Sequence, residues 1–197
     1  MGEFKGSYGI TPRMVTRPIH SVEVAGLKRD LPIIQVAPGV RIAVINILGD
    51  TELVQACARA LAERLGKLEF DSFITAEAKS IPLAHALAVE TGKPYVVLRK
   101  VYKPYMGATL SVETHSITTG KPQMLHLDEK DYRALRRKRV VLLDDVISTG
   151  STLTGMRLIA DRSGAVIAAE AAIFTEGDNP GTWQGVISLG HLPVFQG

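Results

Sequence analysis

The chain has one cysteine, Cys57, one tryptophan, Trp183, and few aromatic residues overall. A single thiol excludes an internal disulfide framework and fits a reducing cytoplasm. Cys57 could act as a nucleophile, but it falls on the apolar face of a predicted helix, which favours a core filler. No apolar run approaches the roughly 20 residues of a membrane span. The opening MGEFKGSYGITPRM lacks an apolar core, so it does not read as a secretory signal, and MGEFKGSYG is expected to be partly disordered. Internal repeats and low-complexity tracts are absent. The net charge of +3 is too small to argue for nucleic acid, and no recognisable DNA-binding module accompanies the chain. A local basic pocket for a phosphorylated small molecule fits the same balance.

What is present is ordinary globular material: 197 residues, 46% hydrophobic and 22% charged, enough for one domain with a small appendage. Residues 1–39 contain Pro12, Pro18, Pro32 and Pro38, which break any long helix and predict short extended pieces forming a small flap. From about residue 40 the pattern becomes regular. Val40–Leu48 is apolar and β-rich, so a strand is expected. Asp50 then caps a helix to about Gly66, with Leu53, Ala56, Cys57, Ala60, Leu61 and Leu65 at helical spacing. Phe70–Ala78 reads as a strand, Ile81–Glu90 as a helix, and YVVLRK as a strand. Residues 101–126 suggest a long β-hairpin or mobile loop.

A short charged helix, Glu129–Lys138, leads to the buried strand RVVLLDDVI. A helix ending at Gly164 follows, then the strand AVIAAEAAIFTE and a last strand, VISLGHLPVF. Alternating strands and helices predict an α/β fold: a mostly parallel twisted sheet flanked by helices, residues 40–197, with the flap at 1–39. Ligands in such sheets sit at the carboxyl ends of the strands.

One such end carries an unusual combination. Val140–Leu143 drives an apolar strand into Asp144 and Asp145, and the chain then runs Val-Ile-Ser-Thr-Gly-Ser-Thr. Adjacent carboxylates repel and stay ionised only beside a cation or several hydroxyl donors. A ribose diol with a divalent metal nearby supplies both. The hydroxyls of Ser148, Thr149, Ser151 and Thr152, the close approach allowed by Gly150, and the free amides of a helix start suit a phosphate. Carboxylates for a sugar beside donors for its phosphate describe a sugar-phosphate cradle.

This stretch resembles the phosphoribosyl pyrophosphate loop of type I phosphoribosyltransferases, and element order is similar from about residue 40 to the end. The resemblance implies that Asp144 and Asp145 hold the ribose hydroxyls. It also implies that Ser148, Thr149, Gly150, Ser151 and Thr152 hold the 5′-phosphate. Mg2+ would be met by the two aspartates only indirectly, through the ligand. TAEAKSIPLAHAL, Thr75–Leu87, looks like the pyrophosphate loop of the purine enzymes. It places Lys79 there, with Arg99, Lys100 and Lys103 following as further cations for the leaving group.

The implied activity is transfer of a 5-phosphoribosyl group from phosphoribosyl pyrophosphate to a purine base. ILGDTELV and ISLGHLPVF lean towards adenine-type enzymes. SVETHSITTG resembles their mobile loop, but that family's glutamate falls at about Thr118, leaving Glu113 as the available carboxylate. Ser148 stands where the 6-oxopurine enzymes carry an acid. Two alternatives stay open: a hypoxanthine, guanine or xanthine enzyme, and a non-catalytic sensor of phosphoribosyl pyrophosphate. The resemblance also implies a homodimer, while the lone cysteine, the small net charge and the lack of a long apolar run lead us to expect a cytoplasmic protein with no nucleic-acid or membrane partner. Tyr102, Tyr105 and Trp183 are candidates to stack on a base.

Overall fold

The computed structural model describes residues 16–115 and 122–197. Its centre is a five-stranded sheet in the order β10-β9-β8-β4-β5. These strands are β4 (Ser72–Ala76), β5 (Tyr95–Leu98), β8 (Arg139–Ile147), β9 (Val166–Glu176) and β10 (Val186–Leu192), and every neighbouring pair is parallel. Side chains alternate across a strand. In β8, Val141 and Leu143 pack with the core beneath α1 (Thr51–Leu65) and α2 (Ile81–Thr91), where Cys57, Leu61 and Leu83 are fully buried. Val140 and Leu142 face the opposite layer, built by α4 (Ser151–Ser163) and the antiparallel hairpin β6 (Leu110–His115) and β7 (Pro122–Leu127). Residues buried on both faces explain why β8 reads as an unbroken apolar run. The short helix α3 (Glu129–Leu135) joins the hairpin to β8.

A second, four-stranded sheet has the order β1-β2-β3-β11. The strands β1 (Ile19–Val24) and β2 (Leu27–Ala37) form the expected extended pieces. This sheet also takes β3 (Val40–Ala43), antiparallel to β2, and β11 (Val194–Gln196), antiparallel to β3. Two sequence expectations are corrected here. Val40–Leu48 is not one strand of the parallel sheet. Strand pairing stops at Ala43, and Ile45 and Ile47 are buried as an irregular segment, with 2% and 0% exposure. Hydrophobicity alone does not separate the two cases. VISLGHLPVF is likewise two strands, divided at Pro193, which lacks the N–H needed to continue a ladder.

Cys57 is buried, and its surroundings push the thiol up to about 12, as suits a core filler. Gly155 lets α4 lie directly on the hairpin. A Cβ there would sit 2.6 Å from both Leu125 Cδ1 and Thr114 Cγ2. Gly155→Val is expected to cost about 2–3 kcal/mol through overpacking, read as a melting temperature several degrees lower by circular dichroism. An unchanged melting temperature would show that the hairpin packs more loosely than described.

Candidate functional site: a carboxylate pair and an anion-binding turn

The carboxyl end of β8 is held between β4 and β9 and carries Asp144, half-buried, and Asp145, buried to 6% exposure. Ser80 joins them. Its Oγ lies 2.6 Å from Asp144 Oδ1 and 3.1 Å from Asp145 Oδ1, and it accepts the Asp145 N–H at 3.0 Å. The same N–H lies 2.9 Å from Asp144 Oδ1. Lys79 Nζ approaches Asp145 Oδ2 to 3.2 Å as an ion pair, but that buried oxygen receives no aligned hydrogen bond. Burial, then the Asp145 charge, push the Asp144 carboxyl from 3.8 up to about 7, against the pull of the Ser80 hydroxyl.

Beyond β8 the chain turns through Gly150 at φ +75° into α4. The first helical bond outside the turn is Thr154 N–H to Gly150 O at 2.8 Å. The N–H groups of Ser151, Thr152 and Leu153 therefore precede the helix ladder and point out of its start. With Asp144 and residues 146–150 they line a cavity of about 100 Å³. Free amides and the helix dipole favour an anion there.

On the other side of β8, β4 ends beside Glu77, whose peptide to Ala78 is cis. Glu77 Oε2 takes Arg99 Nε–H at 2.6 Å, and its other oxygen takes the Lys100 N–H. This contact raises the pKa of the Arg99 guanidinium further above its ordinary value. The side chains of Lys100 and Lys103 are exposed beyond β5.

The structure thus joins Asp144 and Asp145 through Ser80, pairs Asp145 with Lys79, sets Asp144 and residues 148–152 around one cavity, and ties Arg99 to Glu77. Glu113 is exposed on β6, between the buried Val112 and Thr114. Thr118 lies outside the described residues. Tyr105 Oη is 3.4 Å from Arg99 Nη1, and Tyr102 meets His126 edge-on with centroids 6.2 Å apart. Trp183 stands over Gly150.

Three contributors escape a reading of the sequence. Ser80 looks like a helix cap, yet its hydroxyl makes no capping bond and serves the carboxylates instead. Glu77 sits in the quoted AEAKS run without any sign of its Arg99 partner. Glu176, at the end of β9, is 4% exposed; burial raises its pKa, opposed first by the Ser148 hydroxyl and then by His191 and Lys79.

Among the described residues no three His, Cys, Asp or Glu side chains converge on a point that could hold a metal ion. Two adjacent carboxylates, one of them already paired with Lys79, fit a magnesium ion held mostly by substrate oxygens and water.

The structure is an α/β fold whose parallel sheet carries two adjacent carboxylates and a glycine turn opening a helix at one strand end. Residues 44–183 match the sequence pattern of the phosphoribosyl transferase domain, and the chain belongs to that family. It is 28% identical over 134 residues to the purine biosynthesis transcriptional repressor PurR of Bacillus subtilis, covering 68% of this chain and 46% of that protein. It is 33% identical over 112 residues to the adenine phosphoribosyltransferase of Fervidobacterium nodosum, covering 56% of this chain and 62% of that protein. The chain therefore spans roughly half to two thirds of these relatives' lengths. Among solved structures, the adenine phosphoribosyltransferase of Thermoanaerobacter pseudethanolicus shares the fold with a TM-score of 0.63 at 22% identity, covering 88% of this chain and 95% of that one.

Proposed function

We propose that the protein transfers the 5-phosphoribosyl group of phosphoribosyl pyrophosphate to a purine base, adenine first, releasing pyrophosphate. The observation that carries this reading is the direct succession of Asp144, Asp145 and the Gly150 turn at the end of β8. Asp144 and Asp145 accept the ribose hydroxyls, and the amides and hydroxyls of residues 148–152 take the 5′-phosphate. Fixing the sugar at both ends leaves its C1 carbon as the part free to react, so alignment supplies much of the rate. Lys79, Arg99, Lys100 and Lys103 lie on the pyrophosphate side and offset the charge that develops as the C1–oxygen bond loosens. Glu113 is the carboxylate offered towards the base. Magnesium, when bound with the substrate, neutralises pyrophosphate charge.

The adenine choice is supported by the F. nodosum relative and by the folds of adenine enzymes, including one from Giardia lamblia complexed with 9-deazaadenine, TM-score 0.63 at 16% identity. A regulator that senses phosphoribosyl pyrophosphate is the second reading, favoured by the similarity to PurR of B. subtilis. No described helix is long and apolar enough to cross a membrane. The buried, reduced Cys57 suits a cytoplasmic setting, and a homodimer is the expected assembly, checked by sedimentation.

A base panel tests the reading. The protein is incubated with phosphoribosyl pyrophosphate, magnesium and each nucleobase, and nucleotide and pyrophosphate are measured. AMP is the expected product. Product from guanine or hypoxanthine alone would replace the acceptor, and tight binding with no product from any base would select the sensor.

The raised Asp144 pKa adds a pH dependence. Below about 7 this carboxyl is protonated and loses an acceptor for the ribose. The KM for phosphoribosyl pyrophosphate should therefore rise as pH falls from 8 to 6, approaching about tenfold per unit at the acid end. The stability sign is the reverse. The unfolded chain releases this proton first, so the ligand-free fold loses stability as pH rises from 3.8 through about 7. A KM flat across this range would remove Asp144 from the ribose site.

A further inference from the structure

The chain's only tryptophan has a place that the proposed reaction does not use. Trp183 closes a short 3-10 turn, Pro180–Trp183, between β9 and β10. That turn is braced by Asn179, whose side chain accepts the Gly181 N–H at 2.8 Å, and by Pro180 in its first position. The half-buried indole packs against the core cluster that includes Ile147, Leu153 and Met156. Its far edge rests on the crest of the anion turn: a Cβ on Gly150 would lie 2.6 Å from Trp183 Cη2 and 3.4 Å from both Cζ2 and Cζ3.

Other side-chain ties on the turn are the Ser148 hydroxyl on the buried Glu176 at its start and a long Thr149 Oγ1–Ser151 Oγ contact of 3.4 Å within it, and neither holds Gly150 itself. A glycine at φ +75° is also the freest residue a chain can place there. A flat, rigid ring laid on that glycine from a braced turn limits the conformations open to the loop. The indole edge meets Gly150 directly and so borders the 148–152 turn.

Building on the phosphoribosyl reading above, we propose that Trp183 is a positioning residue that holds the 148–152 loop in its phosphate-binding shape before the ligand arrives. Pre-ordering a loop lowers the cost of binding it. Trp183→Ala should then raise the Kd for ribose 5-phosphate, and the KM for phosphoribosyl pyrophosphate, by about tenfold. At saturation the ligand itself orders the loop, so kcat should stay within about threefold of wild type. Trp183→Phe, which keeps a ring against Gly150, should recover most of the affinity. A loss of general integrity would instead lower kcat and the active fraction together.

Calorimetric titration with ribose 5-phosphate decides the matter, with kinetics on both variants and Trp183→Leu in reserve should the alanine protein not fold. Emission of the single tryptophan gives a second readout, which should shift when wild type binds ribose 5-phosphate. If wild type binds ribose 5-phosphate and Trp183→Ala or Trp183→Leu binds it equally well, this inference is overturned and the functional reading stands. If wild type does not bind it at all, the functional reading fails and takes this inference with it.

Discussion

Asp144→Asn and Asp145→Asn are each expected to lower kcat/KM for phosphoribosyl pyrophosphate by about 10- to 100-fold, the loss of one hydrogen bond to a charged acceptor. An amide offers one acceptor oxygen where the carboxylate offered two and turns its NH2 towards hydroxyls that need acceptors. Neither change should harm the fold. The pair repels, and burial and its neighbour's charge make it costly for Asp144 to ionise, raising its pKa to about 7. Removing one charge relieves that cost, so the melting temperature of Asp144→Asn should equal or exceed that of wild type at pH 7.5. The gain is about 1–2 kcal/mol at most, because Asp144 stays partly in contact with water. Asp145→Asn also frees Lys79, which is already 46% exposed and tolerates the loss. Initial rates with melting curves check both statements. Wild-type turnover in both variants would remove the acid pair from the site.

Gly150→Ala should damage the site with a single methyl group. It places a non-glycine residue in the left-handed region, at about 1–2 kcal/mol, and drives a Cβ to 2.6 Å from the Trp183 ring. Either the indole or the turn must move, and the turn holds the phosphate amides. The expected result is a KM for phosphoribosyl pyrophosphate raised about tenfold or more, with a modest fall in melting temperature. Gly164→Ala is the internal control. Gly164 ends α4 at φ +74°, but the nearest atom to a Cβ there is 3.9 Å away. That variant meets the conformational cost without the clash, so its stability should fall while its KM stays at the wild-type value. A wild-type KM for Gly150→Ala as well would show that the turn takes the methyl group without losing its binding shape.

The parts of the molecule that could be read from sequence are those set by local chemistry. Helix α1 begins after Asp50 because that carboxylate accepts the Leu53 N–H at 3.1 Å, a capping geometry written in the residues themselves. Strand β8 was legible because a parallel strand buried on both faces needs a continuous apolar run. The acid pair and the hydroxyl-rich turn were legible because they are contiguous. What stayed hidden depends on pairing across long stretches of chain. Asp50 is also gripped by Arg29 of β2, through Nε at 2.7 Å and Nη2 at 2.9 Å, across 21 residues. Ser80 finds Asp144 64 residues away only because β4 and β8 are neighbours. The small sheet draws β11 from the last residues of the chain, a partnership no local pattern announces.

The most direct measurement is a crystal structure with ribose 5-phosphate bound. The ribose hydroxyls should lie within hydrogen-bond distance of Asp144 and Asp145, with the phosphate on the amides of residues 148–152. Clear density for the sugar phosphate elsewhere, with the 144–152 segment unvisited, would contradict the assignment of this strand end as the site.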